Sequence, residues 1–251
     1  MNPAEFSNIA GAEQEFWWYR GMREILFRLL DPIAGTDRFE RILEAGCGTG
    51  HLSKVLWERY GWAMFPLDLS REGLGYARRI GVERLTQGDI RTLPFPDAAF
   101  DALLSTEVIV HLERGREHEA LTEFARVLKP DGLLVLRTSA LDLLRSRHSE
   151  FVHERQRFTR ARLVAAVEQA GFRVERVTYL NSLLLPVALF KFRVWEPLTR
   201  AAPHSGVQPV AKWLDRLLYL PMWLEAGWIG WGGAFAAGQT LVLVGRKSHT
   251  N

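Results

Sequence analysis

Three glycines occupy alternate positions just after a short apolar run: Gly46, Gly48 and Gly50. Residues 42–45 have the pattern of a buried strand, and Leu52 and Leu56 are spaced for the inner face of a following helix. Glycine allows the backbone to turn tightly and to approach a ligand closely, and the free amide groups at a helix start bind carboxylates or phosphates. The segment therefore predicts a strand–turn–helix unit that binds a nucleotide-type cofactor.

An acidic residue follows the glycines at the spacing expected for a ribose ligand. Asp68 ends the next apolar run, about 20 residues after the turn, where doubly wound α/β folds place an acid on the ribose hydroxyls. A dinucleotide fingerprint, G-x-G-x-x-G/A, would place its third small residue at His51, which disfavours NAD. The sequence instead reads G-x-G-x-G, with Glu44 two residues ahead of Gly46. This stretch resembles motif I of the class I S-adenosylmethionine (SAM)-dependent methyltransferases.

Further segments follow in the order found in that family. Gly88-Asp89-Ile90 comes after residues 83–87, which are predicted to form a third strand, and residues 93–101 lead into the next strand. Ser105-Thr106-Glu107 closes that strand, and residues 123–132 end a helix with a Pro-Asp-Gly turn. The series covers roughly residues 40–180 and is similar to the small-molecule branch of the SAM methyltransferases.

The alternation of apolar strands and amphipathic helices predicts an α/β fold. Strands are predicted near residues 41–46, 62–68, 83–87, 100–106, 132–138, 172–180 and 239–247, and helices near 51–60, 71–80, 116–128 and after Thr159. Such alternation implies a parallel sheet with helices on both faces. The resemblance adds that the sheet is Rossmann-like, doubly wound and seven-stranded, mostly parallel, with an antiparallel last strand. We expect a single domain over residues 1–251.

The resemblance also implies which residues bind SAM: Tyr19, Arg20, Glu44, Gly46, Cys47, Gly48, Gly50, Asp68, Leu69, Asp89, Ile90 and Thr106. Glu44 would accept from the ammonium of the methionine part, or else from the amides of the glycine turn. Asp68 would accept from both ribose hydroxyls, or else act as an acid at a helix start. Leu69 would pack on the adenine face. Asp89 would accept from the adenine amine, with Ile90 supplying a backbone N–H, or else be an exposed turn residue.

Two residues beyond the fourth strand are candidates for catalysis. Glu107 and His111 lie at the carboxyl edge of the sheet, where open α/β folds bind ligands. Residues 105–108 lack the Asn/Asp-Pro-Pro-Tyr/Phe stretch of enzymes that methylate nucleobase or glutamine nitrogens. A histidine can take a proton from a hydroxyl group near neutral pH. His111 is therefore predicted to be a general base for an oxygen acceptor, with a supporting structural role as the alternative.

Two regions are expected to shape the acceptor site. Residues 1–32 carry an aromatic–arginine segment that covers the SAM pocket in many relatives, and Tyr19 or Arg20 could reach the methionine carboxylate. Residues 145–162 are rich in basic side chains, which form a solvated surface or bind an anionic acceptor. The acceptor contacts are predicted to include four residues: Trp18, His148, His153 and Arg155.

Residues 181–238 form a long apolar insertion between the last two strands. It contains five of the nine tryptophans and five prolines that are expected to break it into short helices: Pro186, Pro197, Pro203, Pro209 and Pro221. One interpretation is a helical cap that forms a wall of the acceptor pocket. The other adds a peripheral membrane contact, with basic residues towards anionic lipid: Lys191, Arg193, Arg200, Lys212 and Arg216. Both imply an acceptor with an apolar portion.

Composition limits the remaining function classes. The net charge of +3 and a pI near 9.2 do not argue for a nucleic-acid partner. The only cysteine, Cys47, lies in the glycine turn, so neither disulfides nor a cysteine-based metal site are expected. Residues 1–10 lack the features of a secretory signal, and a cytoplasmic protein is expected, with possible membrane association. The sequence predicts methyl transfer from SAM to a small or lipid-like acceptor, with an NAD-dependent oxidoreductase and a non-catalytic binding subunit as alternatives.

Overall fold

A seven-stranded mixed sheet forms the centre of the protein. The structure is a computed structural model that describes residues 2–199, 202–207 and 210–248. The strands are β1 (Arg41–Ala45), β2 (Ala63–Asp68), β3 (Thr86–Gln87), β4 (Phe100–Thr106), β5 (Leu128–Ser139), β6 (Phe172–Leu180) and β7 (Thr240–Lys247). Their order is β3-β2-β1-β4-β5-β7-β6. Neighbours among the first five strands pair in parallel, whereas β7 runs antiparallel to both β5 and β6. The predicted Rossmann-like sheet with an antiparallel last strand is confirmed.

The helices cover both faces of this sheet. They are α1 (Ala4–Ala12), α2 (Trp17–Ala34), α3 (His51–Tyr60), α4 (Arg71–Arg79), α5 (Glu117–Val127), α6 (Arg147–Phe151), α7 (Arg160–Gln169), α8 (Leu185–Phe190), α9 (Glu196–Thr199) and α10 (Lys212–Gly230). Side chains of β4 alternate between two buried clusters: Leu103 packs with α5 and α7, and Leu104 packs with α2, α3 and α10. Thr159 caps α7 as predicted, because its hydroxyl accepts from the backbone N–H of Arg162.

Helix α10 continues through a proline, so the prediction that Pro221 ends a helix is wrong. A proline inside a helix removes one backbone hydrogen bond and costs about 3 kcal/mol. Here the cost is offset by tertiary packing, since α10 lies against α2 and buries Met222 and Ile229 completely. A Cβ on Gly21 of α2 would lie 2.6 Å from Cβ of Met222, so the absence of a side chain at position 21 allows the two helices to approach closely.

Two differences in element length follow from context. The third strand contains only Thr86 and Gln87, because it pairs with β2 over just two residues. A proline would be expected to stop helix α2, but Pro32 lies in its last turn and the N–H of Gly35 still donates to the carbonyl of Asp31. Arg200 and Pro209, which the sequence analysis named in the insertion, lie outside the described residues.

Candidate active site

The glycine turn between β1 and α3 has the conformation that its sequence predicts. The three glycines have positive φ angles of 89°, 54° and 77° in chain order, which residues with a side chain rarely adopt. A Cβ on Gly46 would lie 2.2 Å from Cγ2 of Val108, and one on Gly50 would lie 2.5 Å from Cβ of Ala77. The turn therefore requires glycine for space as well as for conformation. Cys47 is buried within it, and burial raises the pKa of its thiol, so the thiol stays protonated.

Asp68 joins this turn to the end of β2. One carboxylate oxygen accepts from the backbone N–H of Gly48 and the other from that of Ser70, both at 2.8 Å. Each oxygen retains a further lone pair, so the carboxylate can still accept hydrogen bonds from the hydroxyl groups of a ligand. Leu69, the next residue, is 67% exposed and lines the same cavity, in the position of an apolar platform for a flat ring. This geometry fits the predicted ribose and adenine contacts.

Two buried carboxyl groups lie beside the turn. Glu44 at the end of β1 accepts from the hydroxyl of Ser53, and burial raises its pKa to about 8. Glu13, just past α1, accepts from the hydroxyl of Thr49, and burial raises its pKa to about 7. Both acids therefore hold protons near neutral pH that a nearby cation would displace. Glu13 was not predicted, because nothing in its local sequence marks it as a ligand.

These groups line one cavity of about 930 Å³. The cavity is lined by every residue predicted to bind the cofactor or the acceptor, or to act in catalysis, with two exceptions: Gly50 and Arg20. The N–H of Gly50 donates to the carbonyl of Cys47, so this glycine shapes the turn. The carboxyl ends of β1, β2 and β4 thus bring the predicted residues together, as the topology of a parallel sheet requires.

Arg20 is not placed to bind a cofactor. Its guanidinium pairs with Asp215 of α10 at 3.0 Å and lies 4.1 Å from the ring centre of Tyr219, on the side of α2 that faces the insertion. Arg23, about one helical turn further on, lines the cavity, where it donates to the carbonyl of Glu13 at 2.9 Å. The position of Arg20 therefore does not support its predicted contact with the cofactor, and Arg23 is the arginine of α2 that lines the cavity. The helical spacing of Arg23 from Tyr19 could have indicated this.

The carboxylate of Asp89 is paired with the nearby Arg91. Both of its carboxylate oxygens accept from the guanidinium of Arg91, with a closest distance of 2.6 Å, and this hydrogen bonding lowers the pKa of Asp89. Ile90 is buried at the cavity wall. A contact of Asp89 with the adenine amine stays a prediction, and it would have to compete with Arg91.

An acid, an arginine and a histidine also line the cavity. Glu107 has a positive φ of 59°, accepts from Ser139 at 3.0 Å and lies 3.3 Å from Nε of Arg137. Burial raises the pKa of Glu107. His111 lies 3.4 Å from the carbonyl of His153, and burial lowers the pKa of His111 to about 4. Arg137 in β5 was not predicted, because the sequence shows it only as one residue of a buried strand.

The basic segment at 145–162 is largely paired with acids. Arg157 pairs with the buried Glu154 at 2.5 Å, and Arg155 pairs with Glu113 at 2.9 Å. Arg162 pairs with Glu117 from another helix. His148, His153 and Arg155 do line the cavity, but the segment as a whole forms no uncompensated anion site among the described residues.

The first half of the insertion forms part of the cavity wall. Lys191 and Phe192, which lie between α8 and α9, and Glu196, the first residue of α9, line the cavity together with residues 204, 206 and 207. Within the described ranges, no residue of α10 lines it, since α10 packs on α2 instead. The predicted cap is therefore divided into a cavity wall and a separate outer helix.

Known proteins resemble this chain over its central part. A family model described as a methyltransferase domain matches residues 43–136. A malonyl-(acyl-carrier protein) O-methyltransferase of Pectobacterium atrosepticum is 37% identical over 137 residues, which cover 54% of this chain and 51% of that protein. A fatty-acid O-methyltransferase of Mycolicibacterium smegmatis is 43% identical over 98 residues, covering 37% of this chain and 35% of that protein. The chain spans between 35% and 66% of the length of the curated relatives that it matches.

Solved structures extend the likeness to the whole fold. A SAM-dependent methyltransferase from Archaeoglobus fulgidus superposes with a TM-score of 0.57 at 19% identity, covering 94% of this chain and 97% of that chain. The seven-stranded mixed sheet agrees with this fold. Together, the family model, the curated relatives and the solved fold support a class I SAM-dependent methyltransferase.

Proposed function

We propose that this protein transfers the methyl group of SAM to a carboxylate oxygen of a lipid-like acid. The observation that carries the proposal is that a single cavity is lined both by the glycine turn with Asp68 and by Arg137. Aromatic residues of α2 and Phe192 form apolar walls of this cavity. Because the acceptor is lipid-like, contact with a membrane surface is part of the proposal.

The residues present fit SAM at one end of the cavity. Asp68 would accept from the ribose hydroxyls, and Leu69 would pack on the adenine. The buried Glu44 would face the ammonium group, and Arg23 would pair with the methionine carboxylate. The close approach of Val108 to the bare backbone of Gly46 shows how little room the turn leaves for any side chain beside the ligand.

The part of the cavity that Arg137 lines suits a carboxylate. The Arg137 guanidinium lines it, held by Glu107 and lying 5.4 Å from the ring centre of Trp18. Asn181 is 1% exposed, also lines the cavity, and its Oδ1 has no hydrogen-bond partner among the described residues. A buried polar atom without a partner costs free energy unless a ligand or water satisfies it. The names of the two relatives support this choice, since a malonyl group and a fatty acid each offer a free carboxylate.

A carboxylate acceptor also agrees with the protonation of the site. SAM supplies an electrophilic methyl group, and the oxygen lone pair of an ionised acid forms the new C–O bond as the C–S bond breaks towards sulfur. No proton has to be removed, so the protein mainly aligns the acceptor and excludes water. A histidine with a pKa of about 4 is a weak base for a hydroxyl group. The structure therefore favours a carboxylate over the alcohol that the sequence suggested.

The proposal is tested by incubating the protein with SAM and matched sets of straight-chain fatty acids, fatty alcohols and fatty amines. S-adenosylhomocysteine and the methylated product are measured by mass spectrometry. We expect methyl esters from the acids and negligible products from the other two sets. Turnover of alcohols but not acids would reject the carboxylate acceptor. Tight SAM binding without turnover of any acceptor would support the non-catalytic alternative, and stabilisation by NAD but not SAM would support the oxidoreductase.

Two variants test Arg137: one removes its charge alone, and the other removes the charges of both Arg137 and Glu107. Arg137→Gln should lower turnover of a fatty acid at least about tenfold, because one charge-assisted contact to the carboxylate is lost. Glu107→Gln combined with Arg137→Gln removes the buried pair together and controls for an uncompensated carboxylate. Both proteins should bind SAM like the wild type. Full turnover in Arg137→Gln would show that the acceptor lies elsewhere.

A further inference from the structure

Exposed large apolar side chains are concentrated in the insertion. Among the described residues, only three lie outside it: Trp57, Leu69 and Leu143. The others lie between residues 183 and 231, on α8, on α9, on α10 and on the residues that join or follow them. A surface helix of a globular protein normally carries polar residues on the face opposite the core. Two helical parts of the insertion, residues 185–199 and α10, depart from this rule.

Helix α10 is apolar on both of its faces. Its inner face buries Met222, Ala226 and Ile229 against the domain. Its outer face, continued by one residue beyond the helix end, presents side chains at helical spacing: Trp213, Leu217, Leu220, Leu224, Trp228 and Trp231. We call these six residues the outer stripe. Trp213 is 69% exposed and Trp231 is 89% exposed, so the stripe is open at both ends.

The segment 185–199 repeats this pattern beside the cavity. Its exposed side chains also follow helical spacing: Val187, Phe190, Val194 and Leu198. Other residues of the same turns, Lys191, Phe192 and Glu196, line the cavity. The segment 185–199 therefore has the proposed acceptor site on one side and an exposed apolar surface on the other. Leu184, just before it, packs in the same buried cluster as Met222 of α10.

The exposed charges of these two segments all have one sign. Lys191, Arg193, Lys212 and Arg216 are exposed, and no carboxylate lies within 4.0 Å of them in the described part of the chain. The acids of the same segments are not available to balance them. Glu196 and Glu225 are buried, and Asp215 is paired with Arg20. A surface that combines tryptophan, leucine and unpaired basic residues complements the interface of an anionic bilayer.

We propose that the outer stripe and the segment 185–199 dock on an anionic membrane surface. At about 150–250 Å² per aromatic side chain, the exposed parts of the stripe's tryptophans and Trp223 amount to on the order of 500 Å². This alone equals the largest apolar patch of a typical monomer, before the leucines are added. No helix within residues 2–199, 202–207 and 210–248 is long and apolar enough to cross a membrane, so the contact is with the lipid surface.

Docking at this face would bring the cavity wall next to the lipid. The role of this docking rests on the proposed function. A lipid-like acid partitions into membranes and would reach the cavity past the segment 185–199. The docking itself depends only on the exposed surface. Vesicle binding measured without SAM and without acceptor therefore separates a failure of docking from a failure of methyl transfer.

Flotation with vesicles tests the docking. Full-length protein is mixed with vesicles of phosphatidylcholine alone or with added phosphatidylglycerol, at low and high salt. We expect binding that requires phosphatidylglycerol and weakens with salt. Lys212→Glu with Arg216→Glu should lower the partition coefficient at least about 30-fold. Trp213→Ala with Trp231→Ala should lower it at least about tenfold. Because α10 does not line the cavity, both variants should bind S-adenosylhomocysteine like the wild type, which also verifies their folding.

Matched changes on α3 provide the control. Trp57 is an exposed tryptophan and Lys54 a partly exposed lysine, so Trp57→Ala and Lys54→Glu should leave vesicle binding unchanged. No flotation of the wild type at low salt would overturn the proposal, as would equal binding by the α10 variants. Equal losses in the α3 variants would show non-specific adsorption. A dimer of the wild type that Trp213→Ala with Trp231→Ala converts to a monomer would show that a second copy covers the stripe instead.

Discussion

The raised pKa of Glu44 predicts that the protein releases a proton when the ligand binds. Its carboxyl group is buried beside the glycine turn, with a pKa of about 8 that burial causes, and is therefore about 90% protonated at pH 7. A ligand ammonium beside it favours the ionised form. If binding moves the pKa of Glu44 below about 5, the protein releases about 0.9 protons from this residue at pH 7. Glu44→Gln replaces the protonated acid by a neutral side chain of similar shape and should remove this release.

Titration calorimetry measures the release directly. S-adenosylhomocysteine is titrated into each protein at pH 7 in two buffers with different ionisation enthalpies, and the difference in heat gives the number of protons exchanged. The ligand amine and Glu13, with its pKa of about 7, contribute to both proteins, so the difference between them isolates Glu44. Equal proton release in wild type and Glu44→Gln would refute the assignment of Glu44 to the ammonium.

The same residue gives a stability test without ligand. The folded-state pKa of Glu44 is raised above its ordinary value of 4.5, so its contribution to stability is fully present below pH 4.5. It is lost as the pH rises towards 8, because the unfolded chain ionises first. The melting temperature of the wild type should therefore fall relative to that of Glu44→Gln between pH 5 and pH 8. Parallel curves over this range would contradict the burial argument.

Three other substitutions test the site. Asp68→Ala should weaken binding of SAM and S-adenosylhomocysteine by about 1.5–3 kcal/mol in calorimetry, and unchanged affinity would remove it from the ribose site. His111→Ala should lower turnover of a fatty acid less than about tenfold with SAM affinity unchanged, whereas a loss of about 10²–10⁴-fold would identify it as a general base. Gly46→Ala should lower the melting temperature more than Gly171→Ala, because both glycines have φ of 89° but only Gly46 would place a Cβ against Val108. Equal melting temperatures would remove the steric argument.

The parts of the candidate site whose geometry agrees with the sequence analysis are set by local rules. The turn at Gly46 needs a positive φ and an absent side chain, and both requirements can be read from residue type alone. The position of Asp68 is predictable because it ends a strand, and parallel strands end at the same edge of the sheet. Chain order and apolar periodicity are sufficient for these features, so the sheet and the part of the cavity formed by the glycine turn and Asp68 were predictable.

The remaining site residues depend on tertiary packing. Arg20 turns away from the cavity because Asp215 is its partner, and these two residues are 195 positions apart in the chain. Helix α2 then presents Arg23 to the cavity in its place. Arg137 is one residue of a buried strand, and only the pairing of β4 with β5 brings it to Glu107. No local pattern in the sequence records such long-range contacts.

The insertion shows why its two interpretations are compatible. Proline-based reasoning predicted short helices with a single apolar face, which would have to serve either as a cap or as a lipid contact. Packing against α2 keeps α10 helical through Pro221, and a long helix has room for two apolar faces. Its inner face holds Glu225, whose carboxylate accepts from the backbone N–H of Leu183 at 2.7 Å and so ties the helix to the start of the cavity wall. Since the inner face already satisfies the requirement for burial, the exposed tryptophans of the outer face are not needed for folding. Their presence is therefore best explained by an external contact.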